Sequence, residues 1–400
     1  MADHGKYSRQ PWKAIYLAYE IPITFLVRLP VWAVTYAFPS ARPRHAWSWR
    51  YAISVAYTRH SITTSALVDG LGGLPDHRAI TPAKNGEGVW IDGVPHLITA
   101  ELKAWSTLSN VEPIRIPGYW LGKKGISHVP NSFVQPGEKV FIYFHGGGYT
   151  VECAHPDTGI LTNIPRTLME VDPNIPRLLA VEYRLSSAYP SPDRHPFPTA
   201  LLDALAGYNY LVNVVGYSPL DIIVVGDSAG GNLALALVRY LVENSSSTEV
   251  SLPRPPGSLL LLSPWADLSG SHDIPGSSSL TNTMDVIDDL VEGTFASYCR
   301  RAFLGPHGPE MASCNRYISP ASLHPSAQAR FKGFPRTFIT AGGAERLLDQ
   351  IRTLRNKMVA DMGADNVTYY EAGDVIHDWL AFPWDPACPA TLRAIQQWLA

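Results

Sequence analysis

The sequence predicts an α/β architecture, with a mostly parallel central sheet covered by helices on both faces. Three observations predict it. From about Glu138 onward, short runs rich in Val, Ile and Leu alternate with longer runs of helical periodicity. One of the short runs, "KVFIYF", reads as a buried strand, as in sheets covered on both faces. Another, residues 221–225, leads directly into Gly226-Asp227-Ser228-Ala229-Gly230, a turn pattern that belongs between a strand and a helix.

The elements follow in order. Residues 1–131 read as an aromatic-rich leader with helical pieces, ahead of a catalytic domain over 132–400. Within the leader, "AIYLAYEIPITFLV" and "LPVWAVTYAF" are apolar, but Glu20, Pro22, Arg28 and Pro30 interrupt them. No unbroken run of about 20 apolar residues exists, which disfavours a spanning helix. A signal peptide's order of basic head, apolar run and cleavage site is also missing. The segment is therefore expected to lie buried under the rest of the chain, with some contact with a membrane surface. The corresponding location is intracellular, either cytoplasmic or peripherally membrane-associated.

After the leader, "KVFIYF" and "RLLAVEYRL" read as strands, and "PTALLDALAGYNYLVNVV" as a helix with Leu201, Leu202, Leu205 and Tyr208 on one side. "DIIVV" is a strand, "NLALALVRYLVEN" a helix and "GSLLLLSP" a strand. A less regular insertion covers about 265–331. The alternation resumes with strand "RTFIT", helix "LLDQIRTLRNKMVADM", strand "VTYYEA" and helix "TLRAIQQWLA". The leader and the insertion have no layer of their own. They are expected to form a cap over the C-terminal ends of the strands, where such sheets bind ligands.

Composition narrows the function. With 46% hydrophobic and 17% charged residues, the 400-residue chain is globular rather than disordered. Its 32 basic and 35 acidic residues leave a net charge of −3 with no basic block, which argues against a nucleic-acid partner. Cys153, Cys299, Cys314 and Cys388 show no CxxC spacing and suggest neither a zinc site nor a disulfide framework. No metal or cofactor is implied.

The chemistry centres on Ser228. The glycines of the pattern permit a sharp turn that lifts the Ser228 hydroxyl above the sheet, at the positive end of the following helix. Without that strand–turn–helix context the match would describe only a glycine-rich turn with an inert serine. Serine is a poor nucleophile unless a base takes its proton and an acid orients the base. His377, in "EAGDVIHDWL", follows a late strand and can reach back towards Ser228. For the acid, "TFITAGGAERLLDQ" offers Glu345, in the loop after a strand, and Asp349, inside the next helix; Glu345 is favoured. Asp374 and Asp378 lie too near His377 in sequence to be first choices.

Attack by a serine on a carbonyl puts negative charge on oxygen, which needs fixed N–H donors. "FIYFHGGGYT" supplies a loop in which glycines let the backbone come close: Gly146, Gly147 and Gly148, with His145 bracing them. The amide of Ala229, beside Asp227 and Ser228 in the elbow, is the other expected donor.

"HGGGY", "EYRLSSAYPSPDRHPFPTALLDA", "GDSAGGN" and "LLSPWADLS", with the late acid and His377, resemble the hormone-sensitive-lipase-like branch of the α/β-hydrolases. The resemblance runs from about Val140 to the C-terminus. It implies an α/β-hydrolase fold with a cap, and a serine carboxylesterase or lipase. It also implies Ser228 as nucleophile, His377 as base, and Gly147, Gly148 and Ala229 as oxyanion donors, with Gly146 shaping the loop. Two departures stand out: the family usually has Asp-Pro in place of Glu345-Arg346, and Gly in place of Asp378.

The expected function is hydrolysis of a small-molecule carboxylic ester, apolar or aromatic in character. An acyltransferase would use the same acyl-enzyme with a different acceptor. A catalytically silent ligand-binding member of the fold would be expected to lack a triad residue, whereas all three types are present here.

Overall fold

The computed structural model describes residues 5–70, 73–123, 134–287 and 293–400; the expected domain boundary at 131/132 lies outside the described residues. The apolar runs become β3 (Val140–Phe144), β4 (Arg177–Val181), β5 (Ile222–Asp227), β6 (Ser258–Leu262), β7 (Arg336–Gly342) and β8 (Val367–Ala372), preceded by β1 (Glu87–Ile91) and β2 (Ile116–Gly122). All eight join one sheet in the order β1-β2-β4-β3-β5-β6-β7-β8. β3 to β8 pair in parallel, and β2 pairs antiparallel with both β1 and β4.

Strand periodicity divides the core into two layers. Ile142 and Phe144 of β3 and Val224 of β5 face one layer; Phe141, Tyr143 and Val225 face the other. Helices Thr199–Asn209 and Ser228–Glu243 cover the first face. Helices Trp49–Leu67 and Cys388–Leu399 cover the second through Tyr51, Val55, Ile395 and Trp398.

Two expectations about the leader change. It is not all cap, because β1 and β2 lie within it and extend the sheet. The apolar segment is also not buried. Residues Trp12–Ala37 form one 26-residue helical stretch, and only 11% of its most apolar window is buried. Pro22 and Pro30 do not break it, since a π-turn over Thr24–Arg28 widens the helix just ahead of Pro30. Glu20 and Arg28 pair with each other at 2.8 Å, and Glu20 also meets His60 of the helix Trp49–Leu67 at 3.0 Å. The charges that interrupt the sequence thus turn towards the protein. Trp12, Ile15, Tyr19, Leu26, Val34 and Phe38 remain exposed. By length and composition this helix could cross a membrane.

The rest of the leader and the insertion meet at the C-terminal ends of β7 and β8. Arg44 binds Asp374 at 2.6 Å, Asn282 at 2.6 Å and the Gly343 carbonyl at 3.2 Å. Trp47 Nε1 donates to the Asp374 carbonyl. One arginine therefore ties together the loops after both strands and a residue of the insertion.

Candidate active site

At the end of β5 the chain turns abruptly into the helix Ser228–Glu243. Ser228 sits at the turn with φ +50°, a conformation that few residues with a side chain adopt and one that local strain often marks as functional. Its side chain reaches the surface only slightly; the residue is 8% exposed. The turn can be this tight because Gly230 lacks a side chain, where a Cβ would run into the Phe144 carbonyl.

The glycine loop after β3 lies against the elbow. A Cβ on Gly146 would collide with the Asp227 carboxylate and stop 3.0 Å from Ser228 Cβ. The Gly146 N–H donates to Asp227 Oδ2 at 2.9 Å, while Tyr143 Oη donates to Oδ1 at 2.5 Å. Asp227 thus clips the loop to the elbow, and the Gly146 amide is committed to it. Burial and the nearby Asp378 hold the Asp227 pKa well above the usual carboxylate range.

His145 is fully buried and stacks on Tyr183 at 4.3 Å, and Tyr183 Oη donates to its carbonyl at 2.6 Å. Burial pushes its pKa down to about 4, so it is neutral and braces the loop.

His377 lies in the loop after β8, and its Nδ1 is 2.8 Å from Glu345 Oε2. Glu345 Oε1 accepts the Gly342 N–H at 2.7 Å, which fixes the carboxylate at the end of β7. Burial pushes Glu345 up to about 7, against the opposing effect of the His377 hydrogen bond. Asp349 takes no part in this: it accepts the Ser278 N–H at 2.7 Å and lies 3.5 Å from Arg352. The structure therefore brings Glu345 to His377 and keeps Asp349 away.

Two further carboxylates join the site, one of them, Asp285, without any sequence signal. Asp285, in the insertion, accepts the main-chain N–H of His377 at 2.9 Å and that of Arg346 at 2.8 Å, joining the two loops that carry the base and the acid. No local pattern marks it. Asp378 Oδ2 lies 3.0 Å from His377 Nε2, the nitrogen that would face Ser228 in a serine–histidine pair. Its replacement of the usual glycine was the visible signal. Burial lowers the His377 pKa, but Asp378 and Glu345 outweigh it and leave the imidazole well above its ordinary value.

A cavity of about 400 Å³ opens beside the glycine loop, between Thr150, Tyr183, Glu182 and His195, and does not reach Ser228, His377 or Glu345. Its walls also carry Asp76 and Arg78.

Comparison with known proteins agrees with this architecture. The chain is 27% identical over 273 residues to Esterase LipU of Mycobacterium tuberculosis, covering 64% of this chain and 79% of that protein. It is 26% identical over 275 residues to an acetyl-hydrolase of Streptomyces hygroscopicus, covering 68% and 78%. Among solved structures, it shares its fold with an esterase/lipase from an uncultured bacterium, with a TM-score of 0.56, 23% identity and coverage of 86% and 97%. It does so too with an esterase of the bacterial hormone-sensitive lipase family, with a TM-score of 0.54, 22% identity and coverage of 93% and 96%. The family model described as alpha/beta hydrolase fold matches residues 141–381, from the strand before the glycine loop through the elbow to the loop of His377. Spanning more than half of the sequence and all of these elements, that match shows that the chain belongs to the alpha/beta hydrolase fold family.

Proposed function

We propose that the protein is a serine carboxylic ester hydrolase acting on a small apolar ester. The observation that carries this reading is a strained Ser228 at a helix N-terminus, in a chain that also sets Glu345 2.8 Å from His377. Ser228 Oγ attacks the ester carbonyl. Its proton passes to His377 Nε2, and Glu345 holds the ring by Nδ1. The carbonyl oxygen becomes an oxyanion beside the amides of Gly147, Gly148 and Ala229, while Gly146 holds the loop against the elbow. His377 returns the proton to the departing alcohol, and water then releases the acid by the same steps in reverse order. The names of the relatives, esterase and acetyl-hydrolase, support an ester substrate.

Incubation with p-nitrophenyl esters of rising chain length tests the reading. Free acid should form without any added alcohol or amine. A product that appears only with such an acceptor would make the protein an acyltransferase, and no turnover on any ester would leave a ligand-binding role.

The glycine loop makes a narrower prediction. Gly146→Ala should keep the fold but push the loop away from Ser228, lowering kcat by about 100-fold, as expected when an oxyanion donor is misplaced. A change below threefold in a folded variant would remove the loop from the mechanism.

The reading extends to a membrane. The helix Trp12–Ala37 leaves Trp12, Ile15, Tyr19, Leu26 and Val34 exposed, and exposed apolar side chains gathered on one element mark a surface for a membrane or partner. Inserted among lipids, that surface would keep the enzyme near apolar esters. The full chain should float with phosphatidylcholine vesicles in a density gradient, and the double variant Leu26→Asp, Val34→Asp should stay at the bottom with its p-nitrophenyl butyrate activity retained. Equal behaviour of the two proteins would end the membrane role.

A further inference from the structure

Asp378 departs from the glycine that the family resembled by this sequence usually carries after its histidine. This residue follows His377 directly and holds φ +49° in the left-handed region, which glycine adopts freely and Asp tolerates. Its Oδ2 sits 3.0 Å from His377 Nε2. Its Oδ1 is buried and has no hydrogen-bond partner among the described residues. Glu345 occupies the other ring nitrogen at 2.8 Å. Both nitrogens of His377 therefore face carboxylates, and a carboxylate accepts rather than donates. The ring answers by carrying both protons. An imidazolium cannot take the Ser228 proton, because the lone pair that general base catalysis requires on Nε2 is already used.

We propose that Asp378 is a positioning residue: paired with Nε2, its carboxylate keeps His377 in the protonated form and competes with Ser228 for that nitrogen. The proposal rests on the ester-hydrolase reading above. With one oxygen lacking a partner, Asp378 is also held by fewer bonds than its neighbours. Asp227, by contrast, is fixed by Tyr143 and the Gly146 amide.

The groups facing His377 come from four places. They are Glu345 after β7, Asp285 from the insertion through the main-chain N–H, Asp227 from β5, and Asp378 itself. Asp374, in the same loop, is paired with Arg44. Among the described residues, the side chain that meets Nε2 is that of Asp378. Removing it should lower the pH at which His377 becomes a base. A rate that depends on neutral His377 is lost as pH falls through that group's pKa, so the acidic limb of kcat/KM should move to lower pH.

Two measurements on the full chain test this. The first is kcat/KM for p-nitrophenyl butyrate against pH, for the wild type, Asp378→Asn and Asp378→Gly. Asn keeps the size of the side chain, and Gly suits the backbone. The acidic limb is expected to shift down by at least about one unit, which raises kcat/KM on that limb about tenfold. The second is ¹⁵N NMR of histidine-labelled protein, with His377→Gln identifying the signal. The His377 ring should be doubly protonated at pH 7 in the wild type and neutral in both variants. An unmoved limb, or a ring signal that titrates identically in wild type and folded Asp378→Asn, would overturn the proposal. Should no form hydrolyse the ester, the ester-hydrolase reading fails separately, and the ring titration still decides whether Asp378 holds His377 protonated.

Discussion

Ser228→Ala is expected to lower kcat by about 10⁴-fold or more while KM and the melting temperature change little. The size follows from what the hydroxyl does. Without it no acyl-enzyme forms, and binding and oxyanion stabilisation alone leave only a small residue of the rate, as in serine-protease knockouts. Such a loss corresponds to about 5.5 kcal/mol of transition-state stabilisation. The fold should be unaffected because Ser228 contributes to it mainly by backbone, its carbonyl accepting the Trp265 N–H at 2.9 Å. Steady-state kinetics on p-nitrophenyl butyrate with a parallel thermal melt would check both halves. A folded variant retaining more than a few per cent of activity would sink the assignment of Ser228 as nucleophile.

The second large effect is expected at the acid. Glu345→Gln should cost about 10³-fold or more in kcat, and Asp349→Asn less than about threefold. Gln at 345 can still accept the Gly342 N–H with its oxygen, so the loop should keep its shape. Its amide nitrogen then faces His377 Nδ1 and donates to it. That forces the proton of a neutral ring onto Nε2, the wrong tautomer for a base directed at Ser228. Asp349→Asn leaves the triad loop alone, and its oxygen can still accept the Ser278 N–H. Measuring both variants side by side, with circular dichroism to confirm folding, separates the two carboxylates. The reverse ranking would transfer the role to Asp349 and contradict the 2.8 Å contact between Glu345 and His377.

Much of this molecule is written in local patterns. The strands β3 to β7 are short, largely apolar runs bounded by turns, and their burial on both faces follows from that pattern. The elbow around Ser228 is equally local, because glycines at fixed offsets are what the turn requires. His377 and the pair of candidate acids could be placed by their positions after late strands. The membership of β1 and β2 in the sheet was not legible: β1 is half-exposed along most of its length, and β2 pairs with β4, some sixty residues later in the chain. The helix Trp12–Ala37 runs through the Pro and charged positions that the sequence alone suggests would break it. A π-turn accommodates Pro30, and Glu20 meets both Arg28 and His60 on the side turned to the protein.

Periodicity and turn chemistry are enough to set the layered sheet, the nucleophile's turn and the chemical types available to the site. Those depend on residues near one another in the chain, through periodicity, turn geometry and the steric needs of glycine. Long-range packing set which acid meets His377, how Asp227 clips the Gly146 loop to the elbow, how Asp285 joins the two loops, and that Asp378 pairs with Nε2. Each of these depends on the directions of side chains carried by different strands or loops. A shift of one ångström there makes or breaks a hydrogen bond, and no local pattern encodes it.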